Sequence, residues 1–253
     1  MLRRRTLTLA LLAAFVGAWQ IVASLPGVDR LIVASPVDTL RALGSDGPLL
    51  LDNARVTLVE VLLGLAVALA VGAGAAIAMH VVRPLRDAAY PLLIASQAIP
   101  VVVIAPLLVL AFDYGIGPKI VIVALLCFFP ITVNLLDGLR ATDPALVKLM
   151  RSLGASRART LTKVELPAAL PYLFSGLRVA ATVSVIGAVF GEWAGAESGL
   201  GRLVLLGTQQ LETPRAYAGV LLLTLMALAL FVAVTLAERA AIPWAARERR
   251  AVA

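Results

Sequence analysis

The sequence predicts an all-α, polytopic membrane protein with six transmembrane helices, and three observations carry that expectation. Of 253 residues, 61% are hydrophobic and 15% charged, where a soluble domain carries about a quarter charged residues; the mean hydropathy is +0.97. The apolar residues fall into long runs without charge, each near the roughly 20 residues that cross a bilayer as a helix. The basic residues between those runs divide unequally between the two sides that alternating spans create. The net charge of +7 therefore reads as membrane topology and not as a nucleic-acid footprint. A single cysteine, Cys127, lies inside an apolar run, so there is no intramolecular disulfide framework and the redox compartment stays open. Residues 1–253 read as one transmembrane domain.

Arg3, Arg4 and Arg5 precede an apolar run from Leu7 to Leu25. A cleaved signal peptide opens the same way, with a shorter core and a small-residue cleavage site. This run is of span length and has no clear A-x-A, so it is read as a retained first helix, 7–25. Pro26 to Asn53 forms an external loop containing Ser35-Pro36-Val37-Asp38, a capping-box-like start with proline at the first helical position. Val37, Leu40 and Leu43 make it a short amphipathic helix at the membrane interface, either a linker or a partner contact. The second span, 55–80, carries Gly64, Ala68, Gly72 and Ala76 at intervals of four, a small-residue stripe for close helix contact in lipid. Glu60, near its outer end, either faces a polar cavity or reaches the headgroups. His80, the sole histidine, is read as interfacial.

Arg83 and Arg86 flank a tight turn at Pro84. The third span, 87–112, contains Pro91, Pro100 and Pro106, each freeing a backbone carbonyl that needs another partner. A kinked helix with Ser96-Gln97 in it suits a pathway wall and plain packing equally. After the Asp113–Pro118 turn, the fourth span, 119–136, holds Pro130, Thr132 and Asn134. The fifth, 171–190, carries Arg178, Thr182 and Ser184; Arg178 lies near enough to the inner face to snorkel. In the last external loop, Gly191–Arg202, glycines 187, 191, 195 and 199 recur every four residues, so part of it continues as a closely packed helix. The sixth span is 215–237, followed by Glu238-Arg239 and the tail Trp244–Arg250. With the N-terminus inside, the inner side collects Arg3, Arg4, Arg5, Arg83, Arg86, Arg140, the cations of segment 142–167, Arg239, Arg247, Arg249 and Arg250. The outer side collects Arg30, Arg41, Arg55, Lys119, Arg202 and Arg215. That asymmetry places both termini in the cytoplasm.

A basic island, Thr142–Pro171, separates the fourth and fifth spans. Either Thr142 or Asp143 can cap a helix with Pro144 at its first position. Leu146, Leu149, Met150 and Leu153 recur at helical spacing as one apolar stripe. Gly154 supplies a stop that tolerates positive φ. Ser156 can cap a second short helix, expected to end at Leu166-Pro167 because proline cannot continue it. With Lys148, Arg151, Arg157, Arg159 and Lys163 on board, the pair reads as a solvent-side docking element; an ordinary basic loop would explain the charge alone.

Gly154-Ala155, followed at unbroken spacing by Val164, Leu166 and Pro167, resembles the EAA signature of ABC importer permeases. That signature is Glu-Ala-Ala, three residues, Gly, an aliphatic residue ten further on, then Leu-Pro; here Lys148-Leu149-Met150 stands where Glu-Ala-Ala is usual. The resemblance implies a type I ABC importer permease fold in which segment 142–167, between the fourth and fifth helices, is a cytoplasmic coupling helix seated in a groove of a separate ATPase. Ala155, Ser156 and Arg157 fall within that contact, and the changed front end puts its Glu-dependent part in question. Gly191-Glu192-Trp193 and Gly199-Leu200-Gly201 resemble the nitrate/sulfonate/taurine-type branch, and most of all permeases for pyrimidine precursors of thiamine. The partners so implied are a dimeric ATPase that binds ATP and Mg²⁺, a second permease copy, an extracytoplasmic solute-binding protein and the bilayer of a bacterial inner membrane.

No G-x-x-x-x-G-K-[ST] occurs, so the chain has no P-loop for ATP phosphates. One His and one Cys cannot build the usual His/Cys zinc site, and no nucleophile elbow is present. The chain is expected to hold no cofactor, to bind no nucleic acid and not to be an enzyme. The competing class is an ion-gradient-driven secondary transporter or channel, which predicts internal repeats and charged midplane helices; neither is visible in the sequence. A purely structural membrane subunit would not need the glycine-hinged pair. Gln97, Asn134, Thr182, Ser184, Glu192 and Trp193 are the pathway candidates. The polar ones either line a path or bond a neighbouring helix, and Trp193 is either a gate or an interface anchor.

Overall fold

Long apolar runs become long helices, and here the helices outlast the runs. The computed structural model describes residues 2–244 apart from Val28 and Arg30, with the side chains of residues 2–5 left aside. Arg30, Arg247, Arg249, Arg250 and the side chains of Arg3, Arg4 and Arg5, counted in the charge asymmetry, lie outside the described residues. In order, the helices are α1 (Leu2–Ala23), α2 (Pro36–Ser45), α3 (Gly47–Val81), α4 (Arg83–Ser96), α5 (Val101–Phe112), α6 (Ile116–Arg140), α7 (Pro144–Ser152), α8 (Arg157–Thr160), α9 (Leu166–Gly195), α10 (Leu200–Gln209) and α11 (Thr213–Ala241). Five of the described stretches are long and apolar enough to cross a membrane, and the bent pair α4–α5 makes a sixth if it is taken as one broken span. α3 starts eight residues before the expected span because Pro48 sits in its first turn. There Asn53 Nδ2 donates to Leu49 O (2.8 Å) and Arg55 pairs with Asp52 (3.3 Å), which keeps the polar first turns helical.

α6 is the central post, packed between α3 and α9. In lipid, helices associate by close backbone approach and not by hydrophobic expulsion, so the glycines decide where they touch. A Cβ on Gly64 would meet Val123 Cβ at 2.5 Å, and one on Gly72 would meet Thr132 Oγ1 at 3.0 Å. From the other side, a Cβ on Gly176 would meet the Pro130 carbonyl oxygen at 2.5 Å, on Gly187 Val123 Cα at 3.0 Å, and on Gly191 Lys119 Cα at 3.2 Å. Both small-residue stripes therefore grip α6. The second leaves helical geometry at Gly199, which has φ +123° and lies beyond the end of α9.

The third span is not one kinked helix. α4 and α5 meet at 99° across Gln97–Pro100. Pro91 and Pro106 stay inside their helices; only Pro100, which disfavours helical geometry in the residue before it, coincides with a break. The expected stop at Leu166-Pro167 does not occur either. A π-helical turn, Leu161–Glu165, carries α8 directly into α9, with Leu166 N–H bonding Leu161 O, so Pro167 enters in the first turn of α9 where a widened turn already surrenders an i→i−4 bond. α2 starts as expected: the Ser35 hydroxyl accepts from Asp38 N–H (3.1 Å) and donates to the Asp38 carboxylate (2.7 Å). Its inward face is Pro36, Thr39 and Ala42, however, and Val37 and Leu40 point outward. α1 touches the rest mainly at its end, where Trp19 stacks on Tyr217 (5.8 Å) and donates to Ala34 O (3.0 Å).

Close approach predicts a contrast between two glycines. Gly176→Ala pushes a methyl onto a backbone carbonyl and should cost about 1–3 kcal/mol by overpacking. Gly74→Ala, with nothing within 4 Å, should be neutral or stabilise by roughly 0.5–1 kcal/mol through helix propensity. Thermal unfolding of the two variants in detergent checks this, and equal midpoints would contradict the packing.

Candidate functional site

The basic island folds as its punctuation directs. Asp143, not Thr142, caps α7, its carboxylate accepting from Ala145 N–H (2.8 Å). α7 ends where Gly154 adopts φ +75° and Ala155 N–H reaches back to Met150 O (3.0 Å), a Schellman-type closure that favours glycine. Ser156 then caps α8, accepting from Arg159 N–H (3.3 Å). α7 buries none of its residues. Leu146, Leu149 and Leu153, 48%, 54% and 73% exposed, hold one edge, with Met150 half-buried beside them. Pro144, Val147, Lys148 and Arg151, at i, i+3, i+4, i+7, turn the other way and line a groove of about 1100 Å³ against the α3–α4 turn.

The element is tied to the bundle by polar contacts as well as by its chain connections. Arg157 Nη2 donates to Val81 O (2.6 Å) at the C-terminal end of α3, where a cation is favoured by the helix dipole. His80 Nε2 lies 3.2 Å from Glu165 Oε2, so the histidine joins α3 to the π-turn and is not merely interfacial. Of the expected coupling residues, Arg157 and Ala155 face the permease's own groove. Val164, Leu166 and Pro167 are half-buried at the root of α9, Leu166 against the cluster of Ala76, Leu136 and Leu139. Ser156 serves as the cap.

The opposite end is held by buried charge. Lys119 Nζ donates to Glu60 Oε1 (2.6 Å), joining α6 to α3. Glu60 is 1% exposed, so it neither reaches the headgroups nor lines an open cavity. Glu192, fully buried, accepts from the Thr57 hydroxyl (2.6 Å) and from Arg202 N–H (3.1 Å) at the start of α10. Thr57 accepts from Leu200 N–H (2.9 Å) and Asn53 from Gly199 N–H (2.7 Å). The free amides of α10 are thus capped by side chains of α3 and α9, and Gly199 has no Cβ because one would collide with the Glu192 carboxylate. Sequence reading missed Asn53, Thr57 and Lys119 as partners; the one local signal was polar residues at the ends of apolar runs. It also saw no charged midplane helix, and expected Arg178 to snorkel. Arg178 instead pairs with Glu238 of α11 and donates to Ser175 Oγ (2.9 Å).

The pathway candidates are not gathered in one place. Ser184 is fully buried and bonds Ala181 O (2.8 Å); Asn134 donates to Pro130 O (2.7 Å). Thr182 is exposed and bonds Val179 O (2.8 Å), and Gln97 is exposed at the α4–α5 break. Glu192 belongs to the α10 clasp. Trp193 donates to Gly201 O (2.9 Å) and meets Phe190 edge-on at 6.0 Å.

Charge separates the two ends more sharply than a count does. At the far end Arg41, Arg55, Lys119 and Arg215 each have a carboxylate partner within 3.3 Å. At the basic end Arg83, Arg140, Lys148 and Arg151 make no ion pair among the described residues.

Residues 63–246 match the family of binding-protein-dependent transport system inner membrane components. The chain is 41% identical over 213 residues to a probable ABC transporter permease protein of Haemophilus influenzae, covering 84% of this chain and 87% of that one. It is 34% identical over 226 residues to the formylaminopyrimidine transport permease protein ThiX of Halalkalibacterium halodurans, covering 89% and 90%. The taurine transport system permease protein TauC of Escherichia coli is 29% identical, with 96% and 90% covered. In fold the chain is similar to the crystal structure of an amino acid ABC transporter with histidines, with a TM-score of 0.60 at 18% identity, over 78% of this chain and 96% of that one.

The Lys119–Glu60 pair makes a directional prediction. Lys119→Met leaves a buried carboxylate uncompensated and should cost about 3–5 kcal/mol, while Lys119→Met combined with Glu60→Met should recover most of it. Folded yield and unfolding midpoint in detergent measure both; a double variant as damaged as the single one would show the pair is not the cause.

Proposed function

Because the chain belongs to the family of binding-protein-dependent transport system inner membrane components, it is the membrane-spanning permease subunit of an ABC importer, and we propose that its α7–α8 pair receives the stroke of the partner ATPase. An importer of this family works with an ATPase and a solute-binding protein. The chain is a transport subunit and not an enzyme; the relatives lend no support to an ion-gradient-driven carrier or channel. On this reading ATP and Mg²⁺ are bound by the ATPase, and the basic end of the bundle, with both termini, faces the cytoplasm. The unpaired cations of that end support the orientation.

The observation that carries the coupling role is the exposed edge Leu146–Leu149–Leu153 on α7. Apolar anchors at helical spacing, left unburied beside a groove edge, suit helix-in-groove docking. Lys148, at the site of the usual acid, lines the permease's own groove, so the contact rests on the leucines and not on a charge at that position. A push on α8 passes into α9 without a break, because the π-turn keeps the helix continuous from Arg157 to Gly195. Arg157 and the His80–Glu165 contact take α3 along. At the far end Lys119–Glu60 and Glu192–Thr57 join α3 to α6 and to α9. The three helices therefore move as one lever, and access alternates by moving that lever against a second permease copy. One docking pair per chain against a two-sited ATPase, and the exposed face of α5, support a homodimer.

For the solute we propose a small heteroaromatic compound of the formylaminopyrimidine kind. The 34% identity to ThiX across nine-tenths of both chains favours it over a sulfonate of the taurine kind. Uptake into proteoliposomes holding permease, ATPase and binding protein should be nucleotide-dependent and saturated by formylaminopyrimidine. Saturation by taurine instead would overturn the substrate assignment.

Leu149→Asp should weaken co-purification with the ATPase by about 30-fold or more, the scale of losing an interface anchor worth ~2 kcal/mol. Gly154→Val, strained at φ +75° in otherwise open space, should leave ATP hydrolysis running while uptake falls about tenfold, a strain of roughly 1–2 kcal/mol. Membrane insertion should be normal in both, and coupled transport at the normal rate in both would sink the docking assignment.

A further inference from the structure

The cationic face of α7 is exposed and turns toward other cations of the bundle. Arg83 from the start of α4, Arg140 from the end of α6, and Lys148 and Arg151 from α7 converge on the groove of about 1100 Å³. None of the four has an ion-pair partner among the described residues. The acid in the groove wall, Glu165, is already engaged by His80. Like charges facing one another across a shared space repel, and that arrangement is stable when an anion lies between them.

Two further observations say what kind of anion. Thr142 also lines the groove, is 7% exposed, and its Oγ1 is buried without a hydrogen-bond partner; Asp143 having taken the cap of α7, this hydroxyl is left to donate elsewhere. The start of α4, a 14-residue helix with no side-chain cap, opens on the same space, and its unsatisfied amides favour negative charge. Cationic donors, a hydroxyl donor and helix amides together match the oxygens of a phosphate group.

We propose that this groove binds the phosphate-bearing headgroup of an anionic phospholipid. The groove lies where α3 and α6 end and α4 begins, which is where headgroups meet the spans, and basic pockets between transmembrane helices take such headgroups. Its volume suits a headgroup with its glycerol rather than a lone ion. On α4, Leu85 and Leu92, seven residues apart and both exposed, offer apolar surface for the acyl chains. The lipid then sits under α7 and fixes its cationic face, leaving the leucine edge turned away. The site stands apart from the docking assignment, since it is built on the face of α7 opposite to the exposed leucines.

The test uses the full chain, delipidated in neutral detergent and titrated with phosphatidylglycerol or phosphatidylcholine, with retained lipid read by native mass spectrometry. Wild type should retain phosphatidylglycerol about tenfold over phosphatidylcholine, and R83Q/R140Q should lose that preference. T142V should reduce it a few-fold, R83K/R140K should keep it, and R41Q/R55Q at the far end should match wild type. Unchanged preference in T142V and in R83Q/R140Q, or failure of the Lys variant alone to bind while helicity and elution are normal, overturns the proposal; should R83Q/R140Q not fold, T142V decides. Displacement of the lipid by inorganic phosphate or glycerophosphoglycerol at comparable concentration assigns the groove to a soluble anion and rejects the lipid. If R83Q/R140Q keeps the lipid but loses the ATPase on co-purification, the groove serves that partner and the proposal falls.

Discussion

The close contact of α3 and α9 with α6 is the constraint on which the other features rest. Inside a bilayer the helices gain nothing by hiding apolar surface from one another, so association depends on how nearly their backbones can approach. Gly64 and Gly72 on one side, and Gly176, Gly187 and Gly191 on the other, remove the side chains that would hold α6 at a distance. Only at that separation can Lys119 reach Glu60, and the Thr57 hydroxyl reach Glu192. A buried charge pair is weak evidence of stability by itself, since desolvation offsets much of its attraction. What it contributes is register: sliding α3 along α6 would leave a carboxylate and an ammonium buried apart.

The two ends of the α3–α6–α9 bundle are built from different chemistry. The far end is closed by buried polar groups that cap α10 and neutralise nearby cations. The basic end is joined by contacts at its surface, Arg157 to Val81 O and His80 to Glu165. The π-turn of Leu161–Glu165 lies at the root of the long helix α9, and π-turns are frequent at functional sites.

α7 has two usable faces in nine residues. Its leucine edge is free and its cationic edge roofs a groove already lined by arginines. The family signature hides this division, because the position that usually carries an acid is here Lys148. An acid would have neutralised the groove from within; the lysine adds to its charge.

Composition and punctuation were enough for membrane class, the small-residue stripes, the caps at Ser35 and Ser156, and the hinge at Gly154, because each depends on span length or on a few adjacent residues. The signature around Gly154 and Pro167 was enough for the family. Local rules failed where a distant element overrode them. Pro167 continues a helix because a π-turn precedes it, and the third span breaks at Pro100 but not at Pro91 or Pro106. The pairing of Lys119 with Glu60, of Glu192 with Thr57 and of Arg178 with Glu238 joins residues 59, 135 and 60 positions apart. No spacing rule reaches that far: the sequence by itself determined which side chains are charged and where helices can touch, and only the tertiary structure decided which charges meet, because that depends on how closely three helices pack.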